Sequence, residues 1–177
     1  MPNATIRSAT VQDLKSILSI YNEAILNTTA VYDYEPHTLA MRQGWFEAKQ
    51  ADRFPVLVAE LNREVVGFGS LGWFRAWAAY RYTVENSIYV APHRRGQGIG
   101  KQLLAGLIES ARAMELHAIV AGIDADNTVS CRLHEQFGFQ EVAHLYQVGY
   151  KFGRWLDLKF LELLLETPTQ PNESKRI

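Results

Sequence analysis

Apolar positions recur at several spacings along the chain, and each change of spacing marks an element. Alternation in Ala4-Thr5-Ile6-Arg7-Ser8-Ala9 predicts a first strand. Thr10 and Asp13 resemble a capping box, and Val11, Leu14, Ile17, Leu18, Tyr21 and Ile25 then follow at three- and four-residue steps, predicting an amphipathic helix. A loop rich in Asn, Thr and Pro covers 27–36, and Leu39, Arg42, Trp45 and Phe46 place a second helix before Arg53. Strand-like runs cover 54–61 and 65–73, with Asn62-Arg63-Glu64 as a hairpin turn lacking the favoured Asn-Gly pair. An aromatic, arginine-containing segment over 73–82 leads into a strand over 83–90. Its alternation puts Thr83, Glu85, Ser87 and Tyr89 on one face and Val84, Ile88 and Val90 on the other. Pro92 ends that strand, and Leu103, Leu104, Leu107, Ile108 and Ala111 mark a third helix. The continuous apolar run 118–123 predicts a strand buried on both faces. Asp126 is the expected N-cap of a fourth helix carrying Val129, Leu133 and Phe137 and closed by Gly138. Two strands over 140–149 and 152–165 complete the order βαα-ββ-β-α-β-α-ββ, an α/β chain of the α+β kind with helices on the faces of a mixed sheet. One domain is expected over 1–166, followed by a polar, Pro-containing tail over 167–177.

The 177 residues suit one domain, and 47% hydrophobic against 21% charged residues supports a full core rather than disorder. A net charge of −1, from 18 basic and 19 acidic side chains, argues against nucleic acid as the main partner. Cys131 is the only cysteine, so no internal disulfide and no multi-cysteine metal site can form. The start of the chain lacks the basic-then-apolar order of a signal peptide, and no run of about 18 apolar residues occurs. A soluble cytoplasmic protein without membrane or metal is the expectation.

The chemically informative segment runs from the strand through Arg94-Arg95-Gly96-Gln97-Gly98-Ile99-Gly100-Lys101 into the third helix. Such a turn leaves backbone N–H groups unpaired at the positive end of a helix, which makes an anion site. Arg94, Arg95 and Lys101 add charge for the same ligand. A P-loop would need Gly where Arg95 stands and Ser or Thr where Gln102 stands; a dinucleotide fingerprint would need Gly where Lys101 stands. On glycine spacing alone, a plain structural turn is as good a reading as a pyrophosphate cradle.

The segment from Ile88 to Lys101 resembles the acyl-CoA pyrophosphate motif of the GNAT superfamily of N-acetyltransferases, whose Arg/Gln-x-x-Gly-x-Gly core falls on Arg95, Gly98 and Gly100. A second element of that superfamily is matched by Asn127, Ser130, Leu133 and Phe137-Gly138-Phe139. Further stretches, among them Tyr21-Asn22-Glu23, Asn27-Thr28-Thr29-Ala30, Phe74-Arg75, 80–85 and 151–157, resemble its phosphinothricin and methionine sulfoximine acetyltransferase branch. The resemblance implies the GNAT fold, a mostly antiparallel sheet of about seven strands. It also implies acetyl-CoA as co-substrate, a homodimer, and acetylation of the α-amino group of a small glutamate-like amino acid. Asn86 departs from the branch, many of whose members have His there.

Acetyl transfer to an amine needs a base, a polarised carbonyl and an exit for thiolate. Glu85 is the expected base, with a salt-bridged strand carboxylate as the alternative. Arg75 and Arg81 could grip an acidic acceptor, and Ala76, Trp77, Asn86, Ser87 and Tyr32 complete the expected acceptor site. The resemblance implies that Ile88, Tyr89 and Val90 hold the thioester and pantetheine arm, with the Val90 N–H on the carbonyl. By the same token Arg95 to Lys101 hold the pyrophosphate, and Asn127 and Ser130 add contacts from the next helix. His134 stands where many relatives have a Tyr that protonates the thiolate; a structurally packed histidine is the alternative. Trp73, Phe74, Trp77 and Tyr80, with Tyr32 and Tyr34, are expected to wall the pocket. Cys131 reads as helix packing, and the apolar run 158–165 as an edge strand that a dimer partner would cover. Rival functions are acetylation of a protein N-terminus or polyamine, and an acyl-CoA-binding sensor without turnover.

Overall fold

The structure, a computed structural model, describes residues 4–167. Its strands are β1 (Thr5–Ser8), β2 (Val56–Leu61), β3 (Glu64–Trp73), β4 (Thr83–Val90), β5 (Ala118–Asp124), β6 (Gln140–Lys151) and β7 (Arg154–Leu164). Its α-helices are α1 (Leu14–Asn27), α2 (Leu39–Ala51), α3 (Ile99–Ala113) and α4 (Thr128–Glu135). The expected order is met, and strand ends differ from the pattern reading by a few residues. Of the segment expected as a tail, only Thr167 is described: its hydroxyl lies 2.6 Å from His117 Nδ1. The remainder, 168–177, lies outside the described residues.

The strands form one seven-stranded sheet in the order β1-β2-β3-β4-β5-β7-β6, antiparallel throughout except for β4 beside β5. Helix α3 presses Ile99, Leu103, Leu104, Leu107, Ile108 and Ala111 onto one face, and every one is buried. Burying an aliphatic side chain of this size contributes about 1.5–3 kcal/mol, so this stripe anchors the larger of the core clusters. Helices α1 and α2 cover the other face through Leu14, Ile17, Ile20 and Phe46, which meet Val56, Val58 and Phe68. The β2–β3 hairpin turns through Asn62 (φ 51°) and Arg63 (φ 66°), both left-handed; Asn tolerates this conformation, and the missing glycine is not required.

Two expectations need correction. The apolar run of β7 is not an edge: β5 and β6 pair with it on either side. The edge is β6, which leaves Val142, Tyr146, Val148 and Tyr150 exposed. The N-cap of α4 is Asn127, whose side-chain oxygen accepts the Ser130 N–H (3.2 Å), whereas Asp126 bonds its own N–H to Asp124 Oδ1 (3.0 Å). Thr10 and Asp13 do meet: the Asp13 carboxylate accepts the Thr10 N–H at 2.8 Å while also pairing with Arg7.

Candidate active site

The site begins where β4 and β5 part. Their parallel pairing covers only Thr83↔Ala118, Val84↔Ile119 and Glu85↔Val120, while β3 follows β4 to Val90 and β7 follows β5 to Asp124. The Ala91 N–H bonds Val66 O (2.9 Å), and an antiparallel ladder repeats that bond at every second residue. Glu85, Ser87 and Tyr89 therefore turn their backbone groups to β3. Ile88 and Val90 turn theirs to the side that β5 has left, where an extended ligand arm can pair as an added strand. Arg95 Nε occupies Val90 O at 3.2 Å, and the Val90 N–H faces the gap.

Gly96 (φ 74°) and Gly98 (φ 80°) carry the chain from this gap into α3 in a conformation that side chains resist. Gln102 N–H is the first amide bonded into the helix, to Gly98 O at 3.2 Å. Ile99, Gly100 and Lys101 therefore present amides with no intrahelical acceptor at the positive end of the dipole. The arrangement fits a pyrophosphate, and Lys101 and Gln97 flank it. Arg95, expected on that anion, also pairs with Glu23 at 2.6 Å. Asn127 spends its oxygen on the cap and keeps its amide NH₂ to donate.

Glu85 stands at the head of the gap on the face covered by α1 and α2. A Cβ built at Gly122 would lie 3.0 Å from its Oε1, so the carboxylate rests on the bare backbone of β5. Burial pushes its pKa above the usual carboxylate range, and the charges of Arg75 and Lys49 oppose the shift. Among the described residues no hydrogen bond or ion pair holds the carboxylate, which leaves its lone pairs for a ligand proton. Lys49 had no signal in the sequence. It is a half-buried ammonium that donates to Leu71 O (2.6 Å) and occupies the space left by Gly72, the register partner of Glu85.

The expected acceptor residues fall into two groups. Arg75, whose guanidinium lies over the Phe74 ring (4.2 Å), is the arginine whose charge reaches Glu85. Arg81 lies over Tyr82 instead (4.9 Å). Phe74 packs edge-on to Tyr80 and Phe160, giving one wall, while Trp77 and Ala76 are exposed at its rim. Tyr32 lies further along β5, where its hydroxyl feels Asp124, two residues beyond Gly122, together with Arg154 and Asp157. Ser87 and Tyr89 share the Glu85 face.

Asn86 points to the opposite face, towards α4, and meets His134. The imidazole is buried, with Nδ1 2.8 Å from Ser130 O and Nε2 3.0 Å from Asn86 Nδ2. A carbonyl can only accept, so Nδ1 carries the proton and Nε2 accepts from the Asn86 amide. Burial lowers the imidazole pKa against the opposing effect of the Ser130 bond, so the ring is neutral and has no spare N–H. This placement does not bring His134 or Asn86 to Glu85 and gives the expected acid role no proton to donate.

The Acetyltransferase (GNAT) family matches residues 15–139. The L-methionine sulfoximine/L-methionine sulfone acetyltransferase of Pseudomonas paraeruginosa is 48% identical over 169 residues, covering 95% of this chain and 98% of that protein. A phosphinothricin N-acetyltransferase of Streptomyces coelicolor is 36% identical over 160 residues, covering 89% and 94%. A Salmonella typhimurium acetyltransferase solved with its cofactor acetyl-CoA superposes with a TM-score of 0.94 at 44% identity, covering 97% of this chain and 99% of that one. Gap, cradle and carboxylate thus occur in a chain that belongs to the GNAT acetyltransferase family.

Proposed function

We propose that the chain transfers an acetyl group from acetyl-CoA to the α-amino group of a small glutamate-like amino acid, with methionine sulfoximine, methionine sulfone and phosphinothricin as acceptors. One observation carries this reading: an unpaired, half-buried carboxylate at the head of the β4/β5 gap, with the free Val90 N–H on one side and the Arg75 guanidinium on the other. The substrates named for the Pseudomonas and Streptomyces relatives supply the acceptor class.

In this mechanism Glu85 takes a proton from the acceptor ammonium, directly or through water. The freed nitrogen lone pair attacks the thioester carbon, the new C–N bond forms, and the C–S bond breaks; the nitrogen's second proton leaves through water to the departing thiolate, giving the amide and free thiol. The Val90 N–H receives the carbonyl oxygen as negative charge develops there, and the α3 amides with Arg95 and Lys101 anchor the pyrophosphate. Thiols have pKa values near about 8.5, so the thiolate can leave without a dedicated acid. Arg75 meets the acceptor's acidic end; a polyamine would be repelled by the same charge. A homodimer belongs to the same reading, supported here by the exposed apolar side chains of edge strand β6 and tested by sedimentation of the purified chain.

The test is free-thiol release from acetyl-CoA with methionine sulfoximine, methionine sulfone, phosphinothricin, glutamate, spermidine and a short peptide. Fast turnover on the first three alone supports the reading. Turnover on the peptide or spermidine alone overturns the acceptor class and keeps the chemistry. Silence across the panel with acetyl-CoA bound leaves the sensor.

A further inference from the structure

The last three residues of β6 attach the α1–α2 loop to the sheet at three separate points. Lys151 is buried, and its ammonium donates to Ile25 O (2.6 Å), Thr28 O (3.0 Å) and Val31 O (2.6 Å). An ammonium has three hydrogens, and all three are used. Ile25 O is one of the carbonyls left open at the C-terminal end of α1, where the helix dipole favours a cation. One residue earlier, Tyr150 O accepts the Tyr34 hydroxyl. At Gly149 the backbone is bare and the Tyr32 ring lies against it: a Cβ there would stand 2.7 Å from Tyr32 Cε2. A bulge between Leu145 and Gly149 bends β6 just before these residues, with Gln147 at φ 55° and its N–H on Asp157 Oδ1 at 2.9 Å.

The segment these contacts hold is otherwise poorly anchored. Val31 is buried, whereas Tyr32, Asp33, Tyr34 and Glu35 are exposed. A loop with so little buried apolar surface opens at low cost unless specific bonds restrain it. Burying a lysine is expensive, and three carbonyls from one loop and helix end are what compensate it here. The same loop carries Tyr32 to the side of the site facing Asp124 and Arg154.

We propose that Gly149-Tyr150-Lys151 is a clamp that fixes Tyr32 as a wall of the acceptor site, with Lys151 as a positioning residue for acceptor selectivity. The proposal rests on the amino-acid acetyltransferase reading. Lys151 touches no reacting atom; it acts through the loop, so its removal alters acceptor binding and spares the coenzyme cradle on α3, which lies across the sheet.

Two variants and two readouts test it. Lys151→Met should raise the KM for methionine sulfone about tenfold and leave that for acetyl-CoA within about twofold, because a wall displaced by about 1 Å costs one to two orders of magnitude. Gly149→Ala, which displaces the Tyr32 ring and leaves Lys151 in place, should give the same split and covers the case in which Lys151→Met does not fold. In a Tyr32→Ala background neither variant should add to the acceptor KM. Amide hydrogen exchange should accelerate over 28–34 in Lys151→Met with exchange in β3 and α3 unchanged. Equal rises in both KM values, full additivity with Tyr32→Ala, or unchanged exchange over 28–34 would overturn the clamp. Should the parent chain acetylate no amino acid, the functional reading fails, and the exchange measurement still decides whether the loop is clamped.

Discussion

Gly122→Ala separates the chemistry of the site from the stability of the fold. The added Cβ would stand 3.0 Å from Glu85 Oε1 and 3.5 Å from Phe160 Cε1. A carbon and a carboxylate oxygen normally keep about 3.4 Å apart, so the Glu85 carboxylate must yield by a few tenths of an ångström. It can, because it is the end of a flexible side chain with no hydrogen bond to hold it. The strand itself loses nothing, since replacing a strand glycine with alanine stabilises by about 0.5–1 kcal/mol through unfolded-state entropy. Misplacing a catalytic group by about 1 Å can cost a hundredfold, so a shift of a few tenths should lower kcat about three- to tenfold. Thiol-release kinetics at saturating acetyl-CoA, with a thermal melt of the same sample, give both quantities. The expected result is a lower kcat with an equal or higher Tm. An unchanged kcat, or a fall in kcat that follows a fall in Tm, would refute the placement of the base against Gly122.

Gly98→Ala places a side chain at φ 80° and should cost about 1–2 kcal/mol by denaturant melt, while raising the KM for acetyl-CoA more than that for the acceptor. Arg75→Ala should do the reverse, and equal effects on both KM values would sink the proposed acceptor grip. Asp13 contributes acid-sensitive stability: its bidentate contact with Arg7 (2.8 and 2.9 Å) holds its pKa down at about 2. A depressed carboxylate pKa stabilises the fold above the unfolded value of about 3.9, and that stability disappears as pH falls towards about 2. Two units would be worth about 2.5 kcal/mol, and solvent screening of the third-exposed Arg7 reduces this to about 1–2. Asp13→Asn should therefore be less stable than its parent at pH 7, with the gap closing in acid; a pH-independent gap in urea melts would contradict the linkage.

The strand and helix pattern was legible because each period reports a buried face: the α3 stripe and the alternation of β4 occur where the spacing puts them. Sheet order was not, since a terminal hairpin looks alike whichever of its strands pairs with β5. The apolar run of β7 therefore suggests an edge, whereas the strand over 140–151, equally legible as a strand, is the one that takes that place. The glycine turn and Glu85 were readable from local chemistry, a left-handed turn before a helix and an acid on a polar strand face. His134 and Asn86 were not, because their bond joins positions 48 residues apart and gives neither a signature in its own neighbourhood. Lys49, Gly122, Gly149 and Lys151 matter only through what the fold brings beside them. Lys151 was visible as part of a resembling stretch, and its three carbonyl partners lie more than a hundred residues earlier.

Glu85→Gln decides whether this carboxylate is the base, with kcat on methionine sulfone and the Kd for acetyl-CoA measured on the same preparation. The substitution keeps the shape and removes the proton acceptor. The expected kcat is lower by about 10²–10⁴, the usual contribution of a general base, with acetyl-CoA bound as tightly as by the parent. A kcat within about threefold of the parent, or a loss of acetyl-CoA affinity in step with activity, would contradict Glu85 as the base.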